Sequence, residues 1–423
     1  MIAIYIRIQQ VRFSLMMKRT IQNTKPLIKT LALLPVLLIL LTACTPAAAA
    51  QPALDATAIF ESALLTATYA ITGPTETATP QPPTAVPPTP EPTATITPDP
   101  NRTPPALPAV YTSQYLNPLD APRSYIKDTC TYLKMRWDPN NASPGTVVMP
   151  IMYHWIVDEN PDPVKMQISR STLLELGRNL KDQGFEAITI QQLNDFLTTN
   201  AKIPERSVIL IVDDRHSANS FENTFKTYYD DYGWTFVNGW ISTTESSQDL
   251  IDGNVRLQNE GWIDHQAHGV IHNIPISDNS SEEYMYSELA GSISTIQNVY
   301  GKAPIAYVWP GGGFTPRAVE IAQEVGYQLG FTVNPRGPLM FNWIPQADEY
   351  DAARPSYIPE GQVNNPLLTL PRYWDQDASI HIDTVRTIGK EARAYAEQTR
   401  ATELEYYDIV CKPITGEIPP LAE

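Results

Sequence analysis

Three of the six histidines in this 423-residue chain fall within the stretch "GWIDHQAHGVIHN", residues 261–273. Two of them, His268 and His272, have the spacing H-x-x-x-H, which can bring two imidazole nitrogens to one metal ion. A second unusual feature is "LIVDDRH", where Asp213 and Asp214 end a strongly apolar run. Adjacent carboxylates at such a place are costly to bury unless a cation or hydrogen-bond donors compensate them. Either feature alone is equally well explained by a solvated turn. Taken together, one aspartate and two histidines make a three-ligand set that leaves a coordination position open for water, as a catalytic zinc requires. The second aspartate is then free to act as a general base on that water.

Such groups need elements that aim them at one point. The runs "TVVMPIMYH" (146–154) and "SVILIVDD" (207–214) are short, β-branched and almost continuously apolar, the pattern of strands buried on both faces. "STLLELGRNLKDQG" between them has helical spacing and a glycine stop. The segments "AITI", "TFVNGWIS", "IAYVWP" and "LGFTV" predict further strands, and "SEEYMYSELAGSISTIQNVYG" and "TPRAVEIAQEVG" predict helices between them. Alternation of this kind predicts parallel βα units, in an α/β barrel or an open sheet. In both, functional groups gather at the C-terminal ends of the strands.

The rest of the chain divides by composition. Residues 1–43 hold six Lys or Arg and no acid, and end in the apolar run "LALLPVLLILLTA" (31–43), which has signal-peptide length. "LTAC" at Leu41 to Cys44 resembles the lipobox of bacterial lipoproteins, in which the cysteine is acylated. This implies lipidation of Cys44 and an extracytoplasmic, membrane-anchored protein. Residues 44–108 form a Pro/Thr/Ala-rich linker, with twelve prolines in the 29 residues from Pro80 to Pro108. Proline at that density blocks helix and sheet ladders, which predicts a disordered, semi-rigid spacer. Residues 109–423 have globular composition and form the expected catalytic domain.

Beyond residue 43 there are 24 basic and 46 acidic residues, a surface that repels nucleic acid. Cys130 and Cys411, near the two ends of the folded region, can form a disulfide in an oxidising compartment; two free thiols are the alternative.

The region from about 146 to 335 resembles the polysaccharide deacetylase family, the NodB-homology domain also called carbohydrate esterase family 4. That family carries "TFDDG" after a strand, "H-[ST]-x-x-H" some fifty residues on, and a proline-glycine motif after a further strand. The counterparts are "IVDDR", "HGVIH" and "VWPGGG". The opening "PIMYHWI" is closest to the branch acting on exported poly-N-acetylglucosamine, which resembles a circular permutation with the last-motif histidine on the first strand. The resemblance implies a distorted parallel (β/α) barrel of about seven strands and a divalent metal, zinc first, bound by Asp214, His268 and His272. It implies Asp213 as base, His154 as general acid and the Gly311 N–H as oxyanion donor.

The substrate it implies is an extracellular or cell-wall polysaccharide: poly-N-acetylglucosamine, a chitin-like polymer or peptidoglycan, losing N-acetyl groups. The sequence departs from the family at Arg215, where glycine is usual, at Gly269, where Ser or Thr is usual, and at Trp309 to Gly311, where an arginine and a tyrosine are missing. Arg215 or Arg372 are the candidates to replace that arginine. These departures keep a catalytically silent glycan-binding homologue and a polysaccharide O-acetyl esterase open as alternatives. His216 and His265 flank the proposed ligands and are candidates for supporting or substrate contacts. Trp309, Trp343 and Trp374 are candidate sugar platforms, and His381 has no motif around it.

Overall fold

The computed structural model describes residues 102–243 and 245–422. The expected signal segment, Cys44 and nearly all of the linker lie outside the described residues. The main sheet is parallel and has eight strands: β1 (Val147–Tyr153), β2 (Glu186–Ala187), β3 (Arg206–Val212), β4 (Phe236–Trp240), β5 (Ile263–Ala267), β6 (Ala306–Val308), β7 (Leu329–Phe331) and β8 (Tyr373–Trp374). Seven lie on one path, in the order β7-β6-β5-β4-β3-β1-β8, and β2 pairs with the start of β3. β1 and β3 run in register from Val147 opposite Arg206 to Tyr153 opposite Val212, so the residues that follow them emerge side by side.

The sheet curls into a half-barrel, and the segment before β8 brings its edges together. Leu370 bridges Phe331 of β7 in parallel, and Leu370 N–H donates to the Gly330 carbonyl at 2.7 Å. Three residues later Tyr373 pairs with Ile151 of β1. All seven residues of β1 are buried, as are Ser207–Val212 in β3, which is why these strands read as continuous apolar runs rather than as alternation.

Helices cover the sheet where the sequence has capping signals. α1 (Thr129–Trp137) starts at Asp128, α2 (Arg170–Asp182) at Ser169, and α3 (Ile190–Thr199) at Thr189 through a capping box with Gln192. That box corrects the expectation for "AITI". Only Glu186–Ala187 pair as strand, because Thr189 caps the following helix and takes Ile190 into it. α4 (Ala218–Thr224), α5 (Lys226–Tyr232) and α6 (Gln248–Asn259) follow β3 and β4. α7 (Glu282–Tyr300) runs from a Ser281 cap to a left-handed Gly301, and α8 (Pro316–Glu324) from a Thr315 cap.

β5, β8 and the 29-residue helix α9 (Ala378–Tyr406) were not expected from the sequence pattern. "IDHQA" in β5 has three polar residues in five, and all but Asp264 are nevertheless buried. α9 packs on α2 and β1.

The chain enters at the opposite end of the strands from the site described below. Arg102 pairs with Asp408 at 2.7 Å, Tyr395 donates to the Ala109 carbonyl, and Trp343 Nε1–H donates to the Tyr111 carbonyl. Residues 108–111 line a cavity with Thr146, Phe341 and Trp343 below the N-terminal end of β1. Nearby, Cys130 and Cys411 are joined by a disulfide between α1 and the segment after α9.

Candidate active site

The two aspartates leave β3 in different directions because the backbone turns sharply. Asp214 and Arg215 both adopt left-handed conformations, at φ 70° and 54°. Asp213 N–H donates to the Tyr153 carbonyl and Arg215 N–H to the Gly239 carbonyl, so β1 and β4 both grip the turn. Left-handed backbone is where glycine is favoured, and this gives the unusual Arg215 its meaning: an arginine has been fitted to a glycine conformation. It turns away from the aspartates, donates to Ser246 Oγ at 2.9 Å and lies over the Trp240 ring.

Asp213 is 2 % exposed and faces Arg372 and His154. Arg372 donates to both carboxylate oxygens, at 2.7 and 3.0 Å, and its Nε–H is fixed on the Thr332 carbonyl. Of the two arginines considered for this partnership, Arg372 is therefore the one that pairs. Burial alone pushes the Asp213 carboxyl up, but Arg372, His268 and His154 outweigh it and hold the group below the ordinary aspartate value. The residue is ready to accept a proton at neutral pH.

His154 follows the last residue of β1. Its Nε2 is 3.7 Å from Asp213 Oδ2, and its ring stacks on Trp374 at 5.5 Å and 14°. Burial lowers its pKa, opposed by Asp213 and Asp214. Next to Trp374, the carboxyl of Asp375 is pushed up to about 7, first by burial and then by the Asp213 charge.

Asp214 faces the histidine pair. Its Oδ1 lies 3.0 Å from His272 Nε2 and 3.6 Å from His268 Nε2, and one ligand atom from each residue lies within 4.8 Å of the others. Tetrahedral ligands about 2.1 Å from a shared zinc ion sit roughly 3.4 Å apart, so the three donors fit such an ion. His268 Nδ1 is 2.9 Å from the Val308 carbonyl, a contact that places the proton on Nδ1 and leaves Nε2 as a lone pair toward Asp214. Burial opposes ionisation of Asp214, yet the two imidazoles of His268 and His272 beside it hold the carboxyl far below the ordinary range. His272 is raised, first by that bond to Asp214.

The two histidines come from a tight loop, with Gly269 at φ 76° and His272 at φ 63°. Gly239 in β4 lets this loop and the Asp213 turn approach: a Cβ there would lie 3.3 to 3.4 Å from Val212 O, Asp213 Cα and His268 Cβ. Gly311 is exposed in the turn Pro310–Gly312, also left-handed, and abuts Pro275 just beyond His272.

The other candidates fall elsewhere. His265 is fully buried, stacked on Tyr300 at 3.9 Å, with Nε2 on the Asn254 carbonyl, and it belongs to the core. Trp309 is fully buried and bonded to the Leu368 carbonyl, while Trp343 lies at the far end of the strands against Tyr111, so neither presents a face to a sugar. Trp374 supports His154. An open aromatic face next to His154 belongs to Trp155, 49 % exposed and packed on the buried His216 ring at 4.9 Å. Its position in "MYHWI", directly after His154, was the available signal. His381 packs beside Tyr373 at 5.1 Å.

A profile of the polysaccharide deacetylase family matches residues 200–330. The poly-beta-1,6-N-acetyl-D-glucosamine N-deacetylase of Escherichia coli K12 is 22 % identical over 224 residues, covering 43 % of this chain and 33 % of that one. A putative polysaccharide deacetylase of Bacillus subtilis, YxkH, is 22 % identical over 191 residues, covering 44 % of this chain and 64 % of its own. The chain thus spans about a third of the length of the Escherichia coli relative. Among solved structures, the Streptococcus pyogenes deacetylase PplD aligns over 58 % of this chain and 99 % of its own at 19 % identity, with a TM-score of 0.45. Both aspartates, both loop histidines and the Pro-Gly turn lie inside residues 200–330, the span that matches the polysaccharide deacetylase family.

Proposed function

We propose that this protein is a metal-dependent hydrolase that removes N-acetyl groups from an extracellular amino-sugar polysaccharide of the poly-N-acetylglucosamine kind. The observation that carries the reading is the convergence of two differently placed carboxylates. Asp213 is clamped by Arg372 beside His154, and Asp214 stands opposite His268 and His272. Asp214, His268 and His272 would hold a divalent ion, zinc first, which would supply Lewis acidity toward the acetamide carbonyl and lower the pKa of the attacking water. Asp213 takes the proton of the attacking water, Arg372 keeps that carboxylate oriented, and the Gly311 N–H is the donor toward the developing oxyanion. His154, stacked on Trp374, delivers a proton to the departing amine, which is a poor leaving group without one.

Acetate release from poly-N-acetylglucosamine, chitin oligomers, peptidoglycan and acetyl-xylan by the metal-loaded protein tests the substrate class. Asp213→Asn is expected to keep the metal and lose turnover, whereas Asp214→Asn loses both. Equal metal loss in the two variants would reverse the assignment. Glycan binding without acetate release in the wild type would instead identify a silent homologue. We also propose that the protein acts outside the cytoplasm, held at the membrane by acylated Cys44. Cys44→Ser is then expected to move it from the membrane fraction to the soluble one.

A further inference from the structure

Helix α7 carries three glutamates in its first two turns, and they have different fates. Glu282 and Glu283 are exposed, while Glu288 is 1 % exposed. A carboxylate taken out of water costs several kcal/mol unless donors replace its hydration. Among the described residues Glu288 has no ion pair. Its two oxygens each accept a backbone N–H from the metal loop: Oε2 from Val270 and Oε1 from Ile271, both at 2.8 Å. These two consecutive N–H groups lie between Gly269 and His272, both left-handed, in a stretch where the chain is neither helix nor strand. Two charge-assisted bonds to adjacent peptide groups fix the loop more firmly than neutral bonds would.

The same contact explains Gly269. A Cβ at that position would come within 2.5 Å of Glu288 Oε2 and 3.1 Å of Pro310 Cγ. The space a side chain would need at 269 is filled by the Glu288 carboxylate, so glycine at 269 and glutamate at 288 are a matched pair. Gly291, one turn further along α7, makes room for Val270, whose Cγ2 would be 3.1 Å from a Cβ there.

We infer that Glu288 is a positioning residue for the third ligand: it sets the course of the loop that carries His272 to Asp214, without itself touching metal or substrate. His268 does not depend on it to the same degree, because His268 sits directly after β5 and is held by the Val308 carbonyl. Loss of Glu288 should therefore release one ligand of three. The inference rests on the reading of Asp214, His268 and His272 as metal ligands.

The test uses the full-length protein with zinc and cobalt(II) as probes. Glu288→Gln is nearly isosteric but presents one NH2 group to a peptide N–H. It is expected to bind zinc about 10- to 100-fold more weakly, as removal of a ligand's supporting partner commonly does. The amides of Val270 and Ile271 should exchange faster in the metal-free variant, and saturating zinc should restore most of the turnover, since the fault is affinity. Gly269→Ser alone should weaken zinc binding, while Gly269→Ser combined with Glu288→Ala should bind better than Gly269→Ser, because the removed carboxylate frees the space. Wild-type zinc affinity and wild-type amide exchange in Glu288→Gln would overturn the inference. His272→Ala is the control for the underlying reading. If it binds zinc as the wild type does, the ligand assignment fails, while faster exchange at Val270 and Ile271 in Glu288→Gln still reports whether the carboxylate holds the loop.

Discussion

At the level of single side chains, the most informative contact is the two-pronged bond from Arg372 to Asp213. Removing Arg372 leaves a buried carboxylate without its main counter-charge, so the Asp213 pKa rises. A base must be ionised to work, and its activity is lost as pH falls through its pKa. Arg372→Gln should therefore move the acid limb of kcat/KM to higher pH and lower kcat by about 10-fold or more at neutral pH; a pH-rate profile with an unmoved acid limb would separate the arginine from the base. Trp155 belongs to the same scale. Its open indole stands one residue from His154, where a sugar ring can stack its C–H face. Trp155→Ala should raise KM for the polymer several-fold and leave kcat near wild type, with Trp155→Phe intermediate, measured by acetate release.

Among the elements, β5 shows how a strand can hide from its own sequence. The polar residues of "IDHQA" looked like part of a solvated turn, yet they are core, and the neutral His265 ring stacked on Tyr300 carries a measurable cost. Its pKa is lowered by burial to about 3, against 6.5 for an ordinary histidine. Unfolded chains take up a proton in that interval that the folded chain refuses. This part of the stability is complete above pH 6.5 and is lost as pH falls toward 3, at most on the order of 5 kcal/mol. Asp375 works in the opposite sense: raised to about 7 from 3.8, it stabilises fully below 3.8 and loses that contribution as pH rises through 7. Denaturation at pH 4.5 and 6.5 should thus show that His265→Phe reduces the loss of stability on acidification relative to the parent, whereas Asp375→Asn increases it.

β1 and β3 were legible because strands buried on both faces must be apolar throughout; the DD signal stood at the end of β3, where polar groups are conspicuous, and H-x-x-x-H was legible from its spacing alone. β8 and Leu370 were not, since two residues of strand carry no period. Arg372 could be offered only beside Arg215, because which of them turns inward is decided by the left-handed turn at Asp214–Arg215 and by Thr332, both remote from "LPRYW". Glu288 was invisible for a related reason: one buried glutamate in an acidic helix start looks like its exposed neighbours.

Over the whole molecule, the termini of the globular part are fastened together. The disulfide links Cys130 and Cys411 across a sequence separation of 281 residues. A cross-link closing so long a loop restricts the unfolded chain, and its loss typically costs about 2–5 kcal/mol. Cys130→Ser with Cys411→Ser should lower the unfolding midpoint while leaving zinc affinity unchanged, because the bond lies at the far end of the strands from Asp214, His268 and His272. A calorimetric scan paired with a zinc titration separates the two effects.

The fastening of residues 102–111 to α9 and its neighbours also has a mechanical consequence. Arg102 is gripped at Asp408, three positions before Cys411, and Ala109 and Tyr111 are gripped by Tyr395 and Trp343. A pull on the chain ahead of Arg102 is therefore taken up first by the long helix and the cross-linked base. The His268–His272 loop stands at the other end of the strands from these contacts. Tension applied ahead of Arg102 thus follows a line that does not run through the loop carrying His268 and His272.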